Sequence, residues 1–91
     1  MTEKTVTVSN RAGLHARPSA IIVQAIKNLD CSIHFEKGRS RINAKSIMGV
    51  ITLGAAYGTT IKVTAEGEDE AEAVRIIAAL FDSKFNEDEE M

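Results

Sequence analysis

Alternation of apolar and polar positions predicts the strands of this chain. Three short segments alternate with a period of two residues, as half-buried strands do. A tight turn at Lys37-Gly38 predicts a further strand beside the second of them. In chain order the four predicted strands are residues 4–8, 32–36, 40–43 and 60–66. In the last one, Ile61, Val63 and Ala65 are expected to point inward.

Apolar residues three and four positions apart predict three helices. The first covers residues 18–29, and Pro18 suits its first turn, because the missing N–H of proline is no loss there. The second is short, covers residues 46–53 and ends at Gly54. The third begins after Asp69, which together with Glu72 resembles a capping box. Its apolar stripe consists of Val74, Ile77, Ala78, Phe81 and Phe85.

The predicted order of elements is βαββαβα. This order indicates an α+β fold in which helices cover one face of a mainly antiparallel sheet. A length of 91 residues suits one domain over residues 1–91. The acidic residues 86–91 are expected to fray at its end.

The composition excludes several classes of protein. With 44% apolar and 26% charged residues, the chain is typical of soluble globular domains. The sequence has no apolar run long enough to insert into a membrane, and its first residues lack the pattern of a secretory signal. The one cysteine, Cys31, cannot form an internal disulfide, so we expect a cytoplasmic location.

The charges are distributed unevenly along the chain. Residues 1–45 carry eight Lys and Arg against three Asp and Glu, whereas residues 46–91 carry three against ten. The basic half is therefore expected to meet anions at local sites and not to bind nucleic acid directly. No spacing of histidine, cysteine and acidic residues predicts a metal site, and no motif calls for a cofactor.

The segment Gly-Leu-His-Ala-Arg-Pro-Ser, residues 13–19, places His15 just before the first helix. A phosphoryl group on His15 would meet the unpaired backbone amides of this helix and the guanidinium of Arg17. Pro18 is expected to keep the backbone of Arg17 extended. A neutral imidazole can attack phosphorus, and the resulting P–N bond is labile, which suits a relay. Alternatively, His15 is a capping or loop histidine without chemistry.

The same seven residues resemble the active-site signature of the HPr family, the histidine-containing phosphocarriers of the bacterial phosphoenolpyruvate:sugar phosphotransferase system. The resemblance covers residues 1–85 and implies a carrier, not an enzyme. It implies that His15 is phosphorylated, with Arg17 and the backbone amides of Ala16 and Arg17 as anion partners. The implied donor is enzyme I, and the implied acceptors are enzyme IIA domains of sugar permeases. The implied fold is an open-faced β-sandwich, with a four-stranded antiparallel sheet covered on one face by helices.

Ser46 is a second candidate phosphate site, because serine is a favoured cap at the start of a helix. The segment Asn-Ala-Lys-Ser-Ile-Met-Gly-Val, residues 43–50, is similar to the second signature of the family. This resemblance implies that HPr kinase/phosphorylase modifies Ser46 and that the product acts with a catabolite-control repressor in some bacteria. Alternatively, Ser46 is a plain capping serine.

The short helix also predicts a docking surface, because it can bury only part of its apolar set. Val50 and Leu53 are the better core candidates. The residues predicted to form the partner surface are Ile47, Met48, Ile51 and, on the first helix, Lys27. The alternative is that the apolar residues of the short helix all belong to the core.

Some residues depart from the family pattern and leave partner preference open. Ala20 and Gln24 stand where some members carry basic residues, Ile51 replaces a frequent methionine, and Tyr57 is an unusual aromatic. A carrier of the nitrogen-related phosphotransferase branch and a mainly regulatory protein acting through Ser46 are alternatives. A histidine-dependent phosphatase would need further basic residues and an acid in a pocket, for which a chain this small offers few candidates.

Overall fold

A computed structural model describes residues 1–86, in which strands and helices follow the order βαββαβα. The bounds are β1 Thr2–Thr7, α1 Ala16–Ile26, β2 Cys31–Lys37, β3 Ser40–Asn43, α2 Ile47–Leu53, β4 Thr60–Gly67 and α3 Glu70–Asp82. A 3-10 turn, Lys84–Asn86, follows α3. The predicted order is confirmed. The predicted fraying concerns residues 86–91, of which 87–91 lie outside the described residues.

The strands form one antiparallel sheet in the order β1-β4-β2-β3. In β4 the side chains of Ile61, Val63 and Ala65 are buried against the helices, as predicted. Between them Lys62 points to the opposite face, where its Nζ lies 3.7 Å from a carboxylate oxygen of Glu3. One face of the sheet is therefore apolar and covered by helices, while the other carries polar side chains, which is the predicted open-faced arrangement.

Three phenylalanines connect the sheet to the last helix. Phe81 of α3 packs edge to face on Phe35 of β2, with 6.3 Å between the ring centroids. It also packs on Phe85 in the 3-10 turn, at 5.0 Å. The apolar residues predicted for α3 are buried except for Ala78, which is half-buried. Phe85, predicted as the last residue of this stripe, lies beyond the helix, which ends at Asp82.

The predicted turn at Gly38 and the predicted end of the short helix at Gly54 are both present. Gly38 adopts a φ of +59° in the turn between β2 and β3. Gly54 ends α2 with a φ of +67°, a left-handed conformation that glycine adopts without steric cost. At the other end of α2, the hydroxyl of Ser46 accepts a hydrogen bond from the N–H of Gly49 at 3.0 Å. The predicted serine cap is therefore confirmed.

The capping box predicted from Asp69 and Glu72 is wrong. Asp69 precedes α3, but its carboxylate accepts a hydrogen bond from the backbone N–H of Asp30 at 2.7 Å. The carboxylate of Glu72 instead pairs with the guanidinium of Arg75, one turn further along the helix. Asp69 is taken up by a distant backbone amide and Glu72 by a basic residue three positions along the helix, so neither closes the first turn of α3.

Glu70 connects the start of β1 to the start of α3. Its carboxylate accepts hydrogen bonds from the hydroxyl of Thr2 at 2.6 Å and from the N–H of Gly67 at 3.1 Å. It also lies 3.1 Å from the amino group of Met1. These contacts lower the pKa of Glu70 from 4.5 to about 2, and the hydrogen bond from Thr2 has the largest effect. A carboxyl group with a lowered pKa in the folded state stabilises the fold above its unfolded pKa and loses this effect as the pH falls.

We therefore expect Glu70→Gln to unfold more easily than the wild type at neutral pH, because glutamine cannot supply the charged acceptor. The difference is expected to shrink as the pH falls from about 4.5 to about 2, where the wild-type carboxyl takes up its proton. Urea unfolding at a series of pH values measures this. Glu68→Gln, in the neighbouring turn, removes one negative charge as a control and is expected to follow the wild type. A difference for Glu70→Gln that stays constant across this range would contradict the prediction.

Candidate functional site

His15 is the residue that caps the N-terminus of α1. Its backbone is extended, with φ −88° and ψ −165°, and its side chain makes no capping hydrogen bond. The residue is exposed, whereas Gly13 and Leu14 before it are buried. The imidazole therefore stands at the surface, on a backbone that the buried residues anchor.

One local and one long-range hydrogen bond hold the loop before His15. The side-chain amide of Asn10, which is fully buried, donates to the carbonyl of Gly13 at 2.8 Å. The N–H of Leu14 donates to the carbonyl of Ala55, in the loop after α2, at 2.9 Å. The sequence did not indicate Ala55, because no local pattern shows which distant carbonyl a loop amide meets.

A serine fixes His15 from the helix side. The carbonyl of His15 accepts a hydrogen bond from the hydroxyl of Ser19 at 2.7 Å and another from the backbone N–H of Ser19 at 3.1 Å. Ser19 is fully buried. Sequence reasoning missed this role, although a serine four residues after the capping residue is a signal that could have indicated it.

Two backbone amides remain for an anion at this helix terminus. The N–H groups of Ala16 and Arg17 have no partner within an α-helix that begins at Ala16. Pro18 has no N–H, and the N–H of Ser19 already donates to His15. The positive end of the helix dipole lies at the same place. The amides named from the sequence, those of Ala16 and Arg17, are therefore the ones that the helix leaves available.

The prediction that Pro18 keeps Arg17 extended is wrong, because Arg17 is the second residue of α1. A proline disfavours helical geometry in the residue before it but does not forbid it. Here the helix gains the burial of Pro18 and Ser19, which offsets that cost. The exposed side chain of Arg17 therefore starts from the first helical turn, beside the two available amides.

Helices α1 and α2 lie side by side and run in opposite directions. Leu14, before α1, is bonded to Ala55, after α2. At the other end, the Nζ of Lys45, before α2, donates to the carbonyl of Leu29, after α1, at 2.6 Å. The start of each helix therefore lies next to the end of the other.

This arrangement separates the two candidate phosphate sites. His15 lies at one end of the helix pair and Ser46 at the other, a separation of roughly 10–16 Å, which are the lengths of the 7-residue α2 and the 11-residue α1. Lys27 is the C-terminal capping residue of α1 and lies at the same end as Ser46. Of the residues predicted for the partner surface, Lys27, Ile47 and Met48 therefore lie at the Ser46 end of the helix pair, and Ile51 lies one turn closer to His15.

The exposed side chains of α2 lie between these two ends. Met48 is 65% exposed and Ile47 is 38% exposed, while Ile51 is partly buried. Val50 and Leu53 are buried, which confirms the prediction that these two residues contribute to the core. The apolar residues of α2 are therefore divided between the core and the surface.

Residues 1–86 contain neither a cluster of metal ligands nor a membrane-spanning helix. No three side chains among the histidines, cysteine, aspartates and glutamates of this region come together as metal ligands would. None of the helices there has the length and apolar character needed to cross a bilayer.

This chain is similar to known proteins in sequence and in fold. Residues 2–83 match the family model of the PTS HPr component phosphorylation site. The phosphocarrier protein HPr of Treponema pallidum is 48% identical over 97% of this chain and 100% of that protein. The crystal structure of HPr-C-His from Thermoanaerobacter tengcongensis superimposes with a TM-score of 0.92 at 44% identity, covering 97% of this chain and 99% of the other.

A second type of relative is also similar in structure. The Bacillus subtilis catabolite repression containing protein Crh has a TM-score of 0.74 and 38% identity, covering 92% of this chain and 97% of the other. The sheet order, the histidine at the start of α1 and the full-length matches lead to one conclusion. The chain belongs to the HPr family of phosphocarrier proteins.

Proposed function

We propose that this chain relays phosphoryl groups through His15 from enzyme I, charged by phosphoenolpyruvate, to enzyme IIA domains of sugar permeases. The observation that carries the proposal is the exposed imidazole at the N-terminus of α1, next to the amides of Ala16 and Arg17. In this role the chain is a carrier and not an enzyme, because its partners supply and remove the group. We place the relay in the cytoplasm, on a single domain without direct contact to nucleic acid.

The chemistry of each transfer is a displacement at phosphorus. A neutral imidazole nitrogen of His15 forms the new P–N bond while the bond to the phosphorylated donor breaks, and the donor group takes the bonding electrons and later a proton. The two amides and the Arg17 guanidinium hold the charged oxygens. A helix terminus contributes about 0.3–2 kcal/mol to such a contact, which orients the group without trapping it. The labile P–N bond then allows an acceptor to repeat the displacement.

The first test uses the wild-type protein with phosphoenolpyruvate and enzyme I. We expect intact mass measurement to show one added phosphate that is lost in acid and stable in base, as a phosphoramidate is. Omitting enzyme I is the control and is expected to leave the protein unmodified. An unmodified protein in the complete mixture would contradict the relay, and release of phosphate from esters by the protein alone would favour a phosphatase.

Ser46 is the proposed regulatory site, modified by HPr kinase/phosphorylase, with a catabolite-control repressor as the reader of the product. Its hydroxyl lies at the start of α2, where it already accepts the Gly49 amide. The similarity to Crh supports a regulatory role of this kind. A phosphate on Ser46 adds about two negative charges at the rim of the partner surface. We therefore propose that it weakens the approach of the acidic or apolar faces that dock along α2.

The proposed docking residues are Ile47, Met48 and Ile51, together with Lys27 at the end of α1. The exposure of Ile47 and Met48 supports this proposal, because isolated globular domains bury most large apolar side chains. Methionine suits a surface that receives several partners, since its flexible side chain can repack.

The Ser46 cap also contributes to the stability of the unmodified protein. We expect Ser46→Ala to lower the free energy of unfolding by about 1 kcal/mol, because the Gly49 amide loses its acceptor. Thr52→Ala, on the exposed side of the same helix, is the control and is expected to cost less than about 0.5 kcal/mol. Urea unfolding of both variants measures the difference, and equal stability of Ser46→Ala and the wild type would contradict the prediction.

A further inference from the structure

A buried hydroxyl group lies on the polar face of the sheet, opposite to the helices. In β4, Thr64 stands between Val63 and Ala65, whose side chains face the helices, so Thr64 points to the other face. Only 6% of Thr64 is exposed there. Its Oγ1 is shielded from solvent and has no hydrogen-bond partner within residues 1–86. An unpaired buried hydroxyl destabilises a fold, so a group that binds to it would remove this cost.

A cavity of about 170 Å³ on the same face adjoins this threonine. One water molecule needs about 10–15 Å³ of such space, so the cavity has room for a small ligand. Its lining includes Met1, Ser32, His34, Arg41, Thr64 and Glu66.

Most of the polar side chains around the cavity are hydrogen-bond donors. His34 lies directly opposite Thr64 in the register of β2 and β4, and Ser32 stands two residues before His34 on the same face. In the part of the chain that the structure describes, the side chains of Ser32 and His34 make no hydrogen bond. The Nε of Arg41 lies 3.3 Å from a carboxylate oxygen of Glu36, and the guanidinium carries four further N–H groups.

We propose that this cavity binds a small oxyanion, a phosphate or a carboxylate, on the face of the sheet away from His15. The guanidinium of Arg41 supplies charge-assisted hydrogen bonds to the anion, for which its planar N–H groups are suited. The hydroxyls of Ser32 and Thr64 and a ring N–H of His34 donate to the remaining oxygens. Bound in this way, the anion gives the Thr64 hydroxyl the partner that the protein itself does not provide.

Two residues at the edge of the cavity modify its affinity. Glu66 is exposed and carries a negative charge, which opposes an anion in the cavity. Met1 is 72% exposed, and rotation of its long side chain opens the cavity toward Thr64. The charge of Glu66 therefore predicts an effect opposite in sign to that of Arg41.

The first test is titration of the isotopically labelled wild-type protein with inorganic phosphate and, separately, with acetate, followed through its backbone amide NMR signals at constant ionic strength and pH. We expect saturable shifts in β2 and β4 around Ser32, His34 and Thr64. The anion with the lower Kd identifies the source of the oxyanion. An absence of shifts in these strands with both anions, or shifts confined to Ala16 and Arg17 beside His15, would overturn the inference.

Charge variants test the sign of the ligand. Arg41→Gln is expected to raise the Kd roughly tenfold, because the charge-assisted bonds are lost. Arg39→Gln, in the exposed turn before β3, removes the same charge as a control and is expected to keep the wild-type Kd. Glu66→Gln is expected to lower the Kd about threefold, because it removes the opposing charge. Weaker binding by Glu66→Gln would contradict an anion and indicate a cationic or zwitterionic ligand.

Thr64→Val separates binding from structure, because valine keeps the shape of threonine without its hydroxyl. Without ligand, this variant is expected to unfold at the wild-type temperature or above it, since the unpaired hydroxyl is gone. Its Kd is nevertheless expected to rise. An unchanged Kd would contradict the role of the hydroxyl in binding. The outcome is independent of the relay, and His15→Ala is expected to bind the anion in this cavity as the wild type does.

Discussion

The His15→Ala variant is expected to take up no phosphate from phosphoenolpyruvate and enzyme I. Alanine has no nucleophilic nitrogen, and neither the amides of Ala16 and Arg17 nor the guanidinium can accept a phosphoryl group in its place. The side chain of His15 is exposed, so its removal leaves the core intact. The variant is expected to fold, and the loss then measures chemistry and not stability.

The chain provides a matched control for this substitution in its second histidine. His34 lies on β2 between the buried residues Ile33 and Phe35, so it points to the polar face of the sheet, away from the helices. His34→Ala removes the same imidazole and is expected to be phosphorylated at the wild-type rate. Uptake of phosphate by His15→Ala would show that the acceptor lies elsewhere. Thermal unfolding of both variants confirms that the folded proteins are being compared.

Gly13→Ala is expected to damage both the fold and the site. Gly13 has a φ of +76°, which costs an L-residue about 1–2 kcal/mol. A Cβ at this position would also lie 2.8 Å from the carbonyl oxygen of Ala55, which is closer than such contacts allow. Moving the backbone to relieve this overlap destabilises the fold by about a further 1–3 kcal/mol. We expect the free energy of unfolding to fall by about 2–5 kcal/mol.

Gly38→Ala separates the cost of the positive φ from the cost of the steric overlap. Gly38 also has a positive φ, of +59°, but a Cβ there meets nothing within 4 Å. The free energy of unfolding of Gly38→Ala is expected to fall by about 1–2 kcal/mol, which is the cost of the positive φ alone. The rate of phosphorylation by enzyme I is expected to stay unchanged. Gly13→Ala is expected to slow that reaction, because the loop before His15 moves with it. Equal losses of stability in urea unfolding of the two variants would contradict the close approach of Gly13 to Ala55.

The periodicity of the sequence predicted the order of elements because each element buries one face. The strand Ser40–Asn43 and the helix between Ser46 and Gly54 were found almost residue by residue, since a turn or a cap marks their ends. The predicted capping box is wrong because one of its residues makes a long-range contact. Asp69 is bonded to the backbone of Asp30, and this contact depends on how the chain folds over longer distances.

The same distinction applies to the candidate site. His15, Arg17 and Ser46 stand in short motifs and could be named from the sequence. The bond from Leu14 to Ala55 could not, because only the folded chain brings that carbonyl near the loop. Asn10 and Ser19 bind carbonyls three and four residues away, so their spacing is a local signal that was not used. The helical conformation of Arg17 was missed because the local effect of Pro18 is weaker than the gain from continuing the helix.

The most direct test of the relay is to follow one labelled phosphoryl group through His15. The carrier is charged with labelled phosphoenolpyruvate and enzyme I, separated from both, and then mixed with an enzyme IIA domain. A relay predicts that the label is on His15 before mixing and on the IIA domain afterwards, with the carrier returned to its unmodified mass. Label that remains on the carrier, or that is found on another residue before mixing, would contradict the relay.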